Sequence, residues 1–362
     1  MADPALLRIA WSDPLVAPAR SAEFERRVRT FAGLPATDSV RPLGWAPWLA
    51  ELSMAPMVRP CTSLDQDYML LAVLVGAQSH ACRFCYGALV AVLRISGIDD
   101  QLLLELEQEI QRADLPAKQR RGLEFVRKAS LADPRHTRGP AELRAAGFSP
   151  PQVAELTFLV GLEAITSRLA TPLALAPAEL EAWRKTWWGR LFRPVLAFAT
   201  RRAQRQHRLK PLLAAEAAGP FGELLECLAP SPSARLLRQA IDECLASPLC
   251  PLRTKVLAMA VVARAAGCSY TEQTARSLCD RAGLDPALLD EVLAHLGSAS
   301  LSAFESRAVR YARRSFRYEV TQVQEMAREL AQDVEPAMLV ELVGAVALAN
   351  GLVRLSILLE AR

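Results

Sequence analysis

The chain has 362 residues, of which 51% are hydrophobic, 23% charged and only 6% aromatic. It is too long for one ordinary domain and too apolar for a disordered chain, so we expect one or two globular domains. Alanine, leucine and arginine dominate while β-branched residues are sparse, which argues against an all-β fold. The formal net charge of +4 is too small by itself to indicate a partner.

The sequence shows no signal for secretion or membrane insertion. Residues 1–30 lack the cationic start and apolar run of a signal peptide. The most apolar stretch, Leu156 to Leu175, is interrupted by Glu163, Arg168 and Pro172, so no transmembrane helix is predicted. Eight cysteines in 362 residues do not make a disulfide scaffold. We therefore expect a soluble, cytoplasmic protein with reduced thiols.

Helical patterns follow one another along the chain. After an N-terminal helical extension, 1–55, residues 66–95 predict a long apolar helix with a break near Ser79, and Gly97 ends it. Asp99 or Asp100 caps the next helix. That helix is Gln101 to Arg112, and later helices are predicted near Ala117 to Ala129, near Ala141 to Ala146 after a loop at Pro134 to Pro140, and from Ser149 to about Leu169. Without a useful period-2 pattern, the fold class is predicted to be all-α.

An internal repeat organises these helices. Shifting the sequence by 186 residues aligns 71–169 with 257–355 without a gap, and 24 of 99 positions are identical. Chance similarity in a chain this rich in alanine and leucine would give about a third as many identities. We therefore predict two tandem helical repeats, 56–180 and 216–362. The shared residues include Cys82/Cys268, Gly97/Gly283, Asp99/Asp285, Arg121/Arg307, Pro150/Pro336, Glu155/Glu341 and Arg168/Arg354.

A basic, aromatic connector, 181–215, separates the repeats. Nine cations lie in its 184–210 segment, so the rest of the chain has a formal charge of 4 − 9 = −5. With Trp183, Trp187 and Trp188, the connector fits an amphipathic surface for an anionic membrane or an acidic partner. A helix that packs its aromatic residues on the core is the alternative, and no nucleic-acid-binding motif accompanies the charge. The cations are Arg184, Lys185, Arg190, Arg193, Arg201, Arg202, Arg205, Arg208 and Lys210.

The sharpest local motif is Cys82-Arg83-Phe84-Cys85. Two cysteines three residues apart on a helix share one face and are close enough to form a disulfide. A helix N-terminus or Arg83 would stabilise a reactive thiolate. Zinc needs four ligands, and the chain offers no second CxxC and no paired histidines among its four. The motif therefore predicts a redox pair without a metal, with a buried, inert pair as the alternative.

The residues around this motif resemble the alkylhydroperoxidase D-like, or carboxymuconolactone decarboxylase-like, family. The resemblance rests on 77–86, with the sequence AQSHACRFCY, and on Ser96-Gly97-Ile98-Asp99. Three downstream segments extend it over about 60–175, and the repeat carries it in weaker form over about 245–360. Those segments are Gly122 to Lys128, Ala145 to Leu156, and Ser167-Arg168-Leu169-Ala170.

The resemblance implies a redox role for Cys82 and Cys85. The histidine and the glutamate of the family's peroxidases fall on Leu89 and Leu70, so a base would have to come from elsewhere. His80 is the nearest histidine and is a candidate for serving the site. Slow turnover is expected.

The second repeat departs further from the family. Cys268 remains, but Thr271 replaces the second cysteine and Ala275 the histidine position, so this copy cannot form the disulfide. Members of the family generally pair or trimerise, so the repeat resembles a covalently fused dimer, and further homo-oligomers are expected.

The leading functional hypothesis is a thiol-dependent peroxidase or disulfide oxidoreductase. Cys85 would attack a peroxide or a small disulfide, Cys82 would form the internal disulfide, and an external dithiol would reduce it. The redox-active disulfide is the only cofactor expected. One alternative is a catalytically retired helical interaction or assembly module. Another is cofactor-free chemistry resembling that of the decarboxylases, which the scarcity of histidines disfavours.

Overall fold

The computed structural model describes residue 6 and residues 13–58, 60–131, 139–176, 210–229 and 231–361. Within these residues the regular structure is helical and no strand occurs. The all-α prediction is therefore confirmed. The predicted connector lies outside the described residues as far as position 209, and so does most of the predicted loop from Pro134 to Pro140.

The helices of the first half of the chain are α1 (Ala22–Ala32), α2 (Leu49–Met54), α3 (Gln66–Ser79), α4 (Arg83–Ser96), α5 (Asp100–Gln108), α6 (Ala117–Ser130), α7 (Pro140–Ala145) and α8 (Pro150–Ala170). Those of the second half are α9 (Gly222–Leu228), α10 (Pro232–Ala246), α11 (Leu252–Ala266), α12 (Ser269–Ser277), α13 (Cys279–Ala282), α14 (Pro286–His295), α15 (Ala303–Arg317), α16 (Val320–Ala331) and α17 (Pro336–Leu358). The predicted break near Ser79 is confirmed, since α3 ends there.

Five pairs of helices begin at positions that keep the offset of the repeat. Helices α3 and α11 begin at Gln66 and Leu252, and 252 − 66 is 186. The same difference separates the starts of α4 and α12, α5 and α14, α6 and α15, and α8 and α17. The caps also correspond: Asp99 accepts a hydrogen bond from the Gln101 amide at 3.0 Å, and Asp285 accepts one from Ala287 at 2.9 Å.

Two long helices, α8 and α17, form the centre of the fold and pack against each other. Both are buried along nearly their whole length, as expected for helices that are apolar on every face. Glycines permit the close approach. A Cβ atom at Gly161 would overlap Leu355, and one at Gly351 would overlap Ile165. Helices α3, α4 and α6 pack on α8, while α11 and α15 pack on α17.

Helix α17 is the helix in the described residues that is long and apolar enough to span a bilayer, with a mean hydropathy of 1.8. Of its most apolar window, 83% is buried inside the protein. It also carries the fully buried Glu341 and Arg354. By mean hydropathy, α17 is therefore more apolar than the stretch from Leu156 to Leu175, which was predicted to be the most apolar of the chain.

The N-terminal helices pack on the second half of the chain. Arg27 of α1 forms an ion pair with Glu243 of α10 at 2.7 Å. The Trp48 indole donates a hydrogen bond to Glu341 Oε2 at 2.5 Å, and Lys255 Nζ lies 2.9 Å from the other oxygen of the same carboxylate. The side chains of Lys255 and Glu341 are 1% and 0% exposed. The buried Lys255–Glu341 pair therefore joins α11 to α17, and the hydrogen bond from Trp48 connects the N-terminal segment to this pair.

Candidate functional site

The two motif cysteines lie at the junction between α3 and α4. His80 caps the C-terminus of α3, and Ala81 follows with a left-handed φ of 49°. A left-handed alanine is strained, and here it turns the chain between the two helices. Cys82 then adopts extended backbone angles as the N-cap of α4. The turn thus places Cys82 and Cys85 on the first turn of a new helix.

The structure joins Cys82 and Cys85 in a disulfide, with their Cα atoms 5.4 Å apart. The Cys82 sulfur also accepts a hydrogen bond from the Cys85 amide at 3.2 Å, as a capping side chain does. Cys82 is fully buried and Cys85 is 7% exposed. The partial positive charge of a helix N-terminus favours a thiolate at this position once the disulfide is reduced.

A carboxyl group from α8 completes the cluster. The two sulfurs and a carboxyl oxygen of Glu163 all lie within 4.8 Å of one another. The Ser167 hydroxyl donates to Glu163 Oε1 at 2.6 Å, and the Thr166 hydroxyl donates to Oε2 at 3.0 Å. Ser167 Oγ is also 4.0 Å from the Cys85 sulfur. The Ser167 hydroxyl therefore lies between the Glu163 carboxyl and the Cys85 sulfur, which is bonded to that of Cys82.

The environment of Glu163 favours its neutral form. Its side chain is 1% exposed, and burial raises the pKa of its carboxyl to about 8, although the hydrogen bonds from Ser167 and Thr166 act in the opposite direction. Sequence reasoning noted this residue only as an interruption of an apolar stretch. The available signal was an acid in a buried helix with hydroxyl residues three and four positions later, on the same face.

His80 lies beside a tyrosine of the second half of the chain. Its ring meets Tyr318 edge-on at 5.7 Å, and it is 5% exposed. Burial, with the charges of Arg168 and Arg354, lowers the pKa of His80 well below its ordinary value, so the imidazole is neutral at physiological pH. Its Nε2 atom has no hydrogen-bond partner in the described part of the chain. The cluster of sulfurs and carboxyl does not include it, and its service to the site stays a prediction.

Tyr318 also holds the helix that carries Ser167 and Glu163. Its hydroxyl lies 2.7 Å from the Ser167 carbonyl oxygen and 2.6 Å from the Thr171 hydroxyl. The Arg168 guanidinium stacks over the ring at 4.4 Å from its centre. The second half of the chain thus supplies a residue that borders the first-half site.

The corresponding place in the second repeat has different chemistry. The Cys268 thiol donates to the Thr271 hydroxyl at 3.3 Å, and Thr271 in turn lies 3.4 Å from Ser356. Counting 186 residues onward from Glu163 and Ser167 gives Ala349 and Val353. This copy therefore lacks both the second sulfur and the acid.

Leu89 and Leu70 hold the positions where the resemblance to the alkylhydroperoxidase D-like family would place a histidine and a glutamate. Leu70 is fully buried and Leu89 is 1% exposed. Neither can move a proton, so Glu163 is the ionisable group that packing brings to the pair. The described residues bring no fourth ligand atom to Cys82, Cys85 and Glu163, whereas a structural zinc site usually takes four.

The remaining six cysteines form no disulfide and lie apart from this cluster. Burial raises the pKa of Cys244 and Cys250, the latter to about 12, so both are inert thiols at neutral pH. Cys61 and Cys279 are also buried, as expected of core fillers. Cys227, in contrast, is exposed.

Comparison with family models, with curated proteins and with solved structures finds no match for this chain.

Proposed function

We propose that this protein is a thiol-dependent peroxidase or disulfide oxidoreductase that works through Cys82 and Cys85. The observation that carries the proposal is the meeting of both sulfurs with the Glu163 carboxyl at the N-terminus of a buried helix. Such chemistry needs an attacking thiolate, a second thiol within reach and a group that handles protons. This cluster contains one candidate for each role. The resemblance of the sequence to the alkylhydroperoxidase D-like family supports the same reaction class.

The difference in exposure between the two cysteine residues supports an assignment of their roles. Cys85 attacks because it retains 7% exposure, whereas Cys82 has none. Its thiolate attacks a peroxide oxygen, the O–O bond breaks, and the alcohol or water leaves as Cys85 becomes a sulfenic acid. The Cys82 thiol then displaces water from that sulfenic acid and forms the disulfide. An external dithiol restores both thiols in two exchange steps and is itself oxidised to a disulfide.

A peroxide pulse on the fully reduced protein tests this proposal. We expect the wild type to lose two titratable thiols, and peptide mapping to assign them to Cys82 and Cys85. The C82S variant should stop at a sulfenic acid on Cys85, which dimedone traps, and C85S should trap none at the site. The C227S variant is the matched control and should form the disulfide as the wild type does. Retention of all eight thiols in the wild type would falsify the proposal.

The burial of the pair favours a second candidate, a helical module without catalytic activity that binds a partner. Cys82 is inaccessible, and the two family positions for proton transfer hold buried leucines. On this alternative, serine at both motif cysteines leaves the cellular phenotype intact. Reversal of the charges in the basic segment abolishes it. The charges to reverse are those of Arg201, Arg202 and Arg205.

We also propose that the two helical series are copies of one unit, packed as a pseudo-dimer. The offset of 186 between five pairs of helix starts supports this. Ile165 and Gly351, which are 186 residues apart, touch each other where α8 crosses α17, as residues on a two-fold axis do. The equivalent arginines reach across in both directions. Arg168 donates to the Ser315 carbonyl at 2.9 Å, and Arg354 donates to the Leu131 carbonyl at 2.9 Å.

A further inference from the structure

The Glu163 carboxyl is placed as a group that serves the cysteine pair. It lies in a helix that is apolar on every face, and its hydrogen bonds within the described residues come from the hydroxyls of Thr166 and Ser167. Helix α3 makes room for it, since a Cβ atom at Gly76 would lie 2.8 Å from Glu163 Cγ. An acid with no ion pair is costly to bury. A structural role would be served as well by an apolar residue.

Ser167 connects this acid to the sulfur. Its hydroxyl is 2.6 Å from Glu163 Oε1 and 4.0 Å from Cys85 Sγ. A serine hydroxyl both donates and accepts, and its hydrogen rotates freely, so it can pass a proton from one neighbour to the other. We infer that Glu163 takes up the proton of the Cys85 thiol through the Ser167 hydroxyl and returns it to the leaving oxygen.

The second repeat provides an internal comparison. The position of Cys85 holds Thr271, and those of Glu163 and Ser167 hold Ala349 and Val353. Two other buried polar residues of α8, Glu155 and Arg168, are kept in α17 as Glu341 and Arg354, whereas Thr157 and Thr166 are replaced by Val343 and Leu352. The acid and the hydroxyl are thus present in the copy with the second sulfur and missing from the copy without it. This pattern is expected of groups that act on that sulfur.

The inference rests on the proposed function and adds a balanced proton path to it. In the reduced protein, the ionised carboxylate accepts a proton from Ser167 while the Ser167 oxygen accepts the proton of the Cys85 thiol. The resulting thiolate attacks the peroxide. The leaving alkoxide then takes up one proton by the reverse path and departs as an alcohol. The carboxylate is regenerated, so Glu163 is neither consumed nor oxidised.

Other ionisable groups around the carboxyl are few. Arg168 acts on it from the same helix, and Cys82 and Cys85 face it from α4. Tyr318, which follows α15, interacts with it electrostatically. His80, at the end of α3, packs against Tyr318. The thiols and the carboxyl are therefore the groups that should dominate the pH dependence of the reaction.

Alkylation of Cys85 by iodoacetamide tests the relay without any peroxide. The experiment uses full-length C82S protein, so that Cys85 is the reacting thiol of the motif, and follows its rate between pH 6 and 10 by peptide mass spectrometry. Adding E163Q or S167A should lower the rate at pH 8.5, where most of the Glu163 carboxyl is ionised, about tenfold and remove the part of the pH profile that belongs to the carboxyl. The matched control T166V removes the other hydrogen bond to Glu163 but no part of the path to the sulfur, so it should keep the carboxyl-dependent part of the profile, shifted to higher pH.

The sign of the effect separates a relay from a charge that merely lies nearby. A carboxylate that only repels the thiolate predicts an unchanged or faster reaction in E163Q, most clearly above pH 8. That result, or an unchanged profile in S167A, overturns the inference. A shifted profile in a protein that does not react with peroxide overturns the proposed function and leaves the relay standing. Thermal melts of each variant show that the rates refer to folded protein, and S167A provides the test if E163Q does not fold.

Discussion

Glu163 links the stability of the protein to pH as well as to its chemistry. An acid ordinarily has a pKa near 4.5, and burial raises the pKa of Glu163 to about 8 in the folded protein. The folded chain therefore holds a proton that the unfolded chain has lost between these values. Its contribution to stability is complete below about pH 4.5 and is lost as the pH rises through 8. His80 has the opposite sign, because its pKa is lowered and stability is lost as the pH falls below 6.5.

We expect the melting temperature of the oxidised wild type to fall as the pH rises from 6.5 to 8. The E163Q variant should lose most of this slope, because its amide does not titrate. This range lies above the ordinary pKa of His80, 6.5, so it excludes the contribution of that residue. Differential scanning calorimetry at several pH values measures the slope. Equal slopes in the two proteins would contradict a buried, protonated acid.

The sequence predicts one half of this site and misses the other. Cys82 and Cys85 are three residues apart, so their proximity follows from helix geometry alone. Glu163 follows them in the chain by many residues, and it reaches the sulfurs only because α8 packs on both α3 and α4. A pattern within one helix carries no information about which neighbour that helix will face. In the sequence, Glu163 is therefore seen only as an interruption of the apolar stretch from Leu156 to Leu175.

At the scale of helices, the sequence predicts boundaries well where a local signal sets them. Asp99 caps α5, and Gly97 ends α4 in the left-handed conformation. The predicted helix from Gln101 to Arg112 is shorter, since α5 ends at Gln108 and a 3₁₀ turn follows. In the second repeat, the counterpart of α4 is divided at Leu278, whose amide bonds to the Ala275 carbonyl in a tighter turn. No residue pattern in this segment predicts that division.

The crossing of α8 and α17 depends on its glycines. In G351A, the added methyl group would overlap Ile165 and approach the Gly161 carbonyl. Overpacking of a buried contact costs about 1–3 kcal/mol, and urea unfolding should show a loss of that size. The control G297A adds a methyl group where no atom lies within 4 Å, so its stability should stay close to that of the wild type. Similar midpoints for G351A and the wild type would contradict the tight crossing.

On the scale of the whole chain, the repeat was visible in the sequence, but the position of the N-terminal segment was not. A self-comparison detects two copies of one pattern, whereas residues 1–55 have no second copy to compare. Their place depends on contacts far apart in the chain, such as that of Trp48 with Glu341. Such contacts leave no periodic trace. The described residues 13–55 of this segment pack on the second half of the chain as well as on the first.

The contacts between the halves predict that the connector is not needed to hold them together. A protease site introduced into the 184–210 segment allows the chain to be cut after folding. The two fragments should then elute together in size-exclusion chromatography, because α8 and α17 remain packed and Arg168 still reaches Ser315. Uncut protein is the control for size. Fragments that separate in native buffer would show that the covalent link is essential.

Tyr318 gives the proposed pseudo-dimer a consequence for its evolution. In a dimer of identical chains, every mutation is expressed in both subunits, so one residue cannot be optimised for a neighbour's site without changing its own copy. In this chain, Tyr318 is encoded once, and it contacts the Ser167 carbonyl of the other half. On the proposed function and the proposed pseudo-dimer, selection can act on Tyr318 without changing the half that carries the cysteine pair. The second half then needs no CxxC of its own to support the first.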